Sequence, residues 1–117
     1  MEAIREILRA GPLEIRPDDL LAFADGHLLE LTRTELAVLS ALARRPGRVV
    51  TRDELYEAVW DRALPSGDRS VDVYVRKLRS KLAGAVPEWA FIHTHVGLGY
   101  RFFPERSQDL HEVATRG

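Results

Sequence analysis

The period of the apolar positions changes several times along the chain, and each change marks an element. In the opening MEAIREILRAG, Ile4, Ile7 and Leu8 stand at helical spacing and Gly11-Pro12 ends the run, which predicts a short helix. From Leu13 to Leu31 the apolar residues come in short pieces, LEIR, LLAFA and LLEL, broken by Pro17-Asp18-Asp19 and by Asp25-Gly26. An Asp-Gly pair between apolar runs is a hairpin signal, because both central positions of a type I′ turn need positive φ. A small antiparallel sheet is expected here.

LTRTEL then spaces Thr32 and Glu35 as a capping box, with Leu31 and Leu36 as the hydrophobic staple around it. A helix follows, its stripe carried by Leu36, Leu39, Leu42 and Ala43 and its end marked by Arg44-Arg45-Pro46-Gly47. VVTRDEL repeats the device: Thr51 and Glu54 form a second box, Val50 and Leu55 a second staple, and a second helix runs to about Trp60. Asp61 to Gly67 holds Pro65 and Gly67 and reads as a loop. A third helix, RSVDVYVRKLRSKL, ends near Leu82, and EWAFIHTHVGLGYRFF reads as a terminal β-hairpin around Gly97-Leu98-Gly99. Beyond Pro104 the sequence is polar, and a tail without a new element is expected. Sheet, helix, helix, loop, helix, hairpin is the order of a winged helix-turn-helix: an α+β fold with an N-terminal antiparallel sheet, a three-helix core and a C-terminal hairpin wing.

At about 100° per residue, Val71, Val75, Leu78 and Leu82 fall in one sector of the third helix and form its buried stripe. The opposite sector carries Arg69, Val73, Arg76, Lys77 and Ser80, with Asp72, Tyr74 and Arg79 on the shoulders. Charge changes the picture at this point. Arg69–Leu82 holds five cations against the single acid Asp72, whereas the whole 117-residue chain sums to −1. A solvated face normally mixes both signs through (i, i+4) pairs, and Asp72 offers only one, to Arg76. Either a solvated basic face or a phosphate-binding one fits this strip. Long cationic side chains displace condensed counterions from DNA, and an outward Val73 suits a thymine methyl while Lys77 can donate to guanine O6 and N7.

Other chemistry changes less. The chain has no cysteine, hence no disulfide framework, and no apolar run of the roughly 20 residues a membrane span needs. A cytoplasmic location is expected. His93 and His95 share one face of a strand, but two nitrogens without a third ligand make a poor zinc site, so no metal and no cofactor is expected. No nucleophile motif is present, and Gly97-Leu98-Gly99 lacks the helix a phosphate loop requires, which argues against an enzyme. Trp60, at a helix end, fits a core aromatic and also an indole donor to phosphate. Trp89 and Phe91 are expected to pack beneath the hairpin.

From about Leu13 to Phe103 the chain resembles the DNA-binding effector domain of OmpR/PhoB-type response regulators. The resemblance rests on Thr32-x-x-Glu35, Pro46-Gly47, Thr51-Arg52-x-Glu54-Leu55, Val59-Trp60, Arg69-Ser70-Val71-Asp72-Val73, Leu78-Arg79 and Gly97-x-Gly99-Tyr100-Arg101-Phe102. It implies sequence-specific binding of double-stranded DNA in transcription control, with Gly67–Leu82 as the recognition helix in the major groove. Base contacts would fall to Asp72, Val73 and Lys77. Phosphate contacts would fall to Trp60, Arg69, Tyr74, Arg76 and Arg79, with Thr94 and Tyr100 from the hairpin. It further implies contact with RNA polymerase through loop 61–67, direct-repeat promoter sites and a head-to-tail dimer on DNA. By the same resemblance, residues 1–12 look like the last helix of a receiver domain plus linker, 13–104 the DNA-binding domain and 105–117 a polar tail. The sequence departs from the family at Val96, where most relatives have a minor-groove arginine, at Tyr74, where histidine is common, and at Lys77, where arginine is common and offers a planar fork that lysine lacks. The alternatives are a winged-helix module for protein contact and the effector half of a regulator that has no receiver.

Overall fold

The structure, a computed structural model, describes residues 5–107. Four short strands come first, β1 (Leu8–Ala10), β2 (Leu13–Arg16), β3 (Leu21–Ala24) and β4 (His27–Leu28), each antiparallel to the next. Alternation in β2 buries Leu13 and Ile15 completely and leaves Glu14 and Arg16 half-exposed, so one face of the sheet covers the helices. At the expected hairpin, Asp25 and Gly26 take φ of 51° and 78°, and Ala24 pairs with His27 across the turn.

The start of the chain departs from the helix its spacing predicts. Leu8–Ala10 is a strand at the sheet edge, with Leu8 opposite Ile15 and Ala10 opposite Leu13; Met1–Ile4 lie outside the described residues. A helix this short, closed by Gly-Pro, cannot offset its own nucleation cost in water, whereas the free edge of β2 supplies ready backbone partners. Gly11 turns the chain with φ 54°, its backbone lying so close to the Trp89 ring that a Cβ there would come within 2.8 Å. The bidentate pair of Arg44 with Glu6, at 2.8 to 3.1 Å, fixes the segment to the helices. Folded structure therefore begins ahead of Leu13.

Both capping boxes form. The Thr32 hydroxyl accepts from the Glu35 N–H at 3.2 Å while the Glu35 carboxylate accepts from the Thr32 N–H at 2.8 Å, opening α1 (Arg33–Ala43). Thr51 and Glu54 repeat the exchange at 3.1 and 3.4 Å and open α2 (Arg52–Trp60). The third helix, α3 (Ser70–Ala85), runs three residues past Leu82 and buries Val71, Val75, Leu78 and Leu82, the stripe its angles predict. Asp68 accepts from the Ser70 N–H at 2.7 Å and so starts it.

The second sheet sets β5 (Val49–Thr51) beside β7 (Gly99–Arg106), which pairs in turn with β6 (Trp89–His95). Gly99 is required where β5 meets β7, because a Cβ there would fall on the Val50 carbonyl oxygen. β7 runs past Pro104, with Glu105 opposite Ala90 and Arg106 opposite Trp89, so the strand takes the first residues of the expected polar tail; Gln108–Gly117 lie outside the described residues. Phe91 and Phe102 are buried and stacked at 6.2 Å, and Trp89 stacks on Phe91 at 6.1 Å, the packing expected beneath the hairpin. Among the described residues no helix is long and apolar enough to cross a membrane.

Candidate nucleic-acid interface

The five cations of the third-helix stretch separate into two sets. Lys81 turns inward: its ammonium reaches the Glu35 carboxylate at 2.6 Å and the Glu30 carbonyl at 3.0 Å. Glu35 is 2% exposed, so this pair ties α3 to the capping box of α1. Burial pushes the Glu35 carboxyl up, but the Lys81 ammonium and the Thr32 N–H outweigh it and hold the group below its ordinary range. Arg79 also turns inward, donating to the Ile92 carbonyl at 2.8 and 3.0 Å and to the Thr94 hydroxyl at 2.6 Å. Arg76 and Lys77 are exposed and, among the described residues, face no acid. Arg69 projects at the N-terminal end with its side chain 83% exposed, 4.0 Å from Asp72.

Asp72 does not take Arg76 as its partner. One of its oxygens accepts from Arg52 Nε at 2.8 Å and from the Tyr100 hydroxyl. Burial raises the Asp72 carboxyl, and these two donors, with Arg69, more than reverse the effect, so the group is held below its ordinary value. Burial and the neighbouring carboxylate both raise the Tyr100 phenol, which keeps its proton on the donating side at neutral pH. The Arg52 and Arg79 guanidiniums lie against the Tyr100 ring, 5.2 and 5.5 Å from its centroid. Asp72, Arg79 and Tyr100 thus already spend polar groups inside the domain.

Val73 is half-buried on the flank of this face, while Thr94 is exposed on β6 and accepts from Arg79, which leaves its own proton free to donate outward. Trp60 stacks on Tyr56 at 4.6 Å and meets Tyr74 at 5.8 Å, and Lys77 lies 5.1 Å from the Tyr74 centroid. Arg62 closes the cluster with hydrogen bonds of 3.0 and 3.2 Å to the Tyr56 hydroxyl. Trp60 is consequently both a packing residue and a half-exposed one at the mouth of loop 61–67. At the wing tip Val96 is 92% exposed, and Leu98 is exposed beside it. His95 accepts from Arg101 Nε at 3.2 Å, and His93 Nε2 lies 2.9 Å from the Phe103 carbonyl, so each imidazole has a partner within the hairpin.

Sequence reasoning missed Arg52, Arg62 and the inward turn of Lys81. Capping explains the residue types around Arg52 and Glu35, but their partners lie 20 and 46 residues away along the chain.

Residues 26–102 match the family model described as "Transcriptional regulatory protein, C terminal". The transcriptional regulatory protein CreB of Escherichia coli (strain K12) is 38% identical over 95 residues, covering 80% of this chain and 41% of that protein. The alkaline phosphatase synthesis transcriptional regulatory protein PhoP of Bacillus subtilis (strain 168) is 41% identical over 91 residues, covering 78% and 38%. The chain spans about two-fifths of the length of these relatives. Among solved structures, the DNA-binding domain of CpxR from E. coli superposes with a TM-score of 0.76 at 33% identity, covering 84% of this chain and 96% of that one. The Klebsiella pneumoniae RstA DNA-binding domain, solved in complex with the RstA box, gives 0.74 at 30%, covering 84% and 97%.

Proposed function

The chain belongs to the family of transcriptional regulatory protein C-terminal domains of the OmpR/PhoB type, a non-enzymatic family, and we propose that it binds double-stranded DNA sequence-specifically as the effector domain of a two-component response regulator. The observation that carries this reading is the outward row of Arg69, at the N-cap of α3, and Arg76 and Lys77 on the helix: among the described residues Arg76 and Lys77 face no acid and Arg69 only Asp72 at 4.0 Å, beside a hairpin whose Thr94 is exposed. Three positive charges on one helical face, two of them without a paired acid among the described residues, cost self-repulsion in the free domain and gain counterion release on a phosphate backbone. With α3 in the major groove, Val73 and Lys77 address base edges, while Arg69, Arg76, Tyr74, Trp60 and Thr94 address phosphates.

The wider setting is proposed on the same footing. Loop 61–67 is exposed at all but Leu64, which suits a surface that meets RNA polymerase while α3 is occupied by DNA. Direct-repeat sites would bring two domains together head to tail, and the setting is cytoplasmic. Residues ahead of β1 would lead from a receiver.

Selection from a random DNA pool, followed by titration of the selected site at several salt concentrations, tests the reading. Affinity should fall steeply with salt, and Arg76→Ala should weaken binding to every sequence and lower the salt slope by about 1. Unchanged affinity and slope in Arg76→Ala remove α3 as the DNA-facing helix. A pool that yields no preferred sequence and no competitor-resistant complex favours a protein-contact module.

A further inference from the structure

Beyond the apolar packing of α3 on β6, two sets of side-chain hydrogen bonds tie the wing hairpin to α3, and both use residues that the family resemblance assigns to DNA. At one, Asp72 on α3 holds the Tyr100 hydroxyl of β7 and Arg52 of α2 on the same carboxylate oxygen. At the other, Arg79 on α3 holds the Ile92 carbonyl and the Thr94 hydroxyl of β6. Tyr100 stands between them, 4% exposed, with the Arg52 and Arg79 guanidiniums against its ring. Beyond Thr94 and Tyr100 the hairpin runs out to a tip where Val96 is 92% exposed, and β5 ends opposite Gly99. These ties are therefore the last that α3 makes to the wing before the wing stands free.

We propose that Asp72, Tyr100 and Arg79 are positioning residues, forming a two-point clamp that sets the wing against the recognition helix, and that Asp72 reads no base. The inference rests on α3 being the DNA-facing helix. Three features of the site support it. An ionised carboxylate facing DNA would meet phosphate repulsion, but this one is compensated by Arg52 at 2.8 Å, by Arg69 at 4.0 Å and by a phenol proton. To accept from a cytosine amino group, Asp72 would need to turn away from donors on two other elements, leaving the proton of the nearly buried Tyr100 hydroxyl without its acceptor. Arg79, for its part, spends Nε and one Nη on β6, so it acts on phosphates through Thr94, whose oxygen it occupies and whose proton it thereby directs outward. Fixing two recognition elements before binding removes an ordering cost that a loose wing would incur on DNA.

The test uses Tyr100→Phe, which keeps the ring and removes only the hydroxyl, together with Asp72→Ala, the double variant, Arg79→Ala and Arg76→Ala as the control. All are measured on the selected DNA at a temperature where circular dichroism shows each fully folded. Amide relaxation at residues 94–99 should show a looser wing in Tyr100→Phe. Affinity in Tyr100→Phe and in Asp72→Ala should fall by a similar factor, about 3- to 10-fold, on every sequence, and the double variant should be no weaker than the weaker single. The salt slope in Arg79→Ala should equal the parent's, unlike that in Arg76→Ala. A change of base preference at one position in Asp72→Ala, or a double variant whose loss equals the product of the singles, overturns the clamp. Unchanged wing relaxation in Tyr100→Phe overturns it as well, and this readout needs no DNA. Should Asp72→Ala fail to fold, Tyr100→Phe and Arg79→Ala decide the matter alone. An Arg76→Ala variant that binds like the parent, beside a loosened wing in Tyr100→Phe, would fault the DNA-facing helix and leave the clamp standing.

Discussion

The C-terminal half of α3 and its N-terminal half carry similar residues to opposite ends. Near the C-terminus, Lys81 finds the buried carboxylate of Glu35 and Arg79 finds the Ile92 carbonyl, so both cations serve the fold. Near the N-terminus, Arg76 and Lys77 are exposed, and Arg69 is only loosely held. On one helix, then, a positive charge is structural where the packed elements supply an oxygen and available to a ligand where they do not. Counting cations along the sequence overstates the binding face by two.

The largest effect separating the two halves should come from Glu35→Ala. It removes one side of the α1 capping box and leaves the Lys81 ammonium with the Glu30 carbonyl alone, and should cost about 2 kcal/mol in chemical denaturation. Affinity of the folded domain for DNA should barely move. Parallel losses of stability and affinity in Glu35→Ala would erase the distinction between the halves.

Lys77→Ala should do the reverse. Discrimination at one base pair should relax by ~1 to 3 kcal/mol in binding to single-substituted sites, with the unfolding midpoint close to the parent's. A uniform loss across all sites would instead make Lys77 another phosphate contact.

Acid sharpens the comparison from the structural side. Glu35 and Asp72 are held below their ordinary ranges when folded, so in acid the unfolded chain binds more protons than the native one. The stability they contribute is complete above the ordinary carboxylate range and is lost as pH falls through it toward their folded values. The melting temperature should therefore drop on acidification below about pH 5, and more shallowly in Glu35→Gln than in the parent. An equally steep profile in the variant would exclude Glu35 as a source of that loss.

The smallest change is expected at the wing. Val96→Arg puts a cation on a tip that is 92% exposed, and should raise the salt slope of DNA binding by about 1 without altering stability. No change in slope would keep the tip away from phosphates.

Local signals were sufficient for most elements. Thr-x-x-Glu predicted both helix starts because each box closes within one turn, and Asp25-Gly26 predicted a hairpin because its φ requirement is local. Angular spacing found the buried stripe of α3, since a helix places every fourth residue on one side whatever lies beyond. The opening segment failed for the complementary reason. Ile4, Ile7 and Leu8 satisfy helical spacing, but at so few residues spacing is a weak constraint, and the edge of β2 decided the conformation of Leu8–Ala10.

At the candidate site, residue types were legible and their duties were not. Asp72, Arg79 and Tyr100 belong to the motif that links this chain to its family, and the motif says nothing of which way each side chain turns. Their partners come from β6, β7 and α2, brought together only when the hairpin folds back over α3. By itself the sequence determined what depends on neighbours within a turn or two: the caps, the turns, the apolar stripes and an excess of positive charge between Arg69 and Leu82. Tertiary structure decided which of those charges remain outward, because an ion pair needs two groups within about 4 Å, and only packing brings residues tens of positions apart that close.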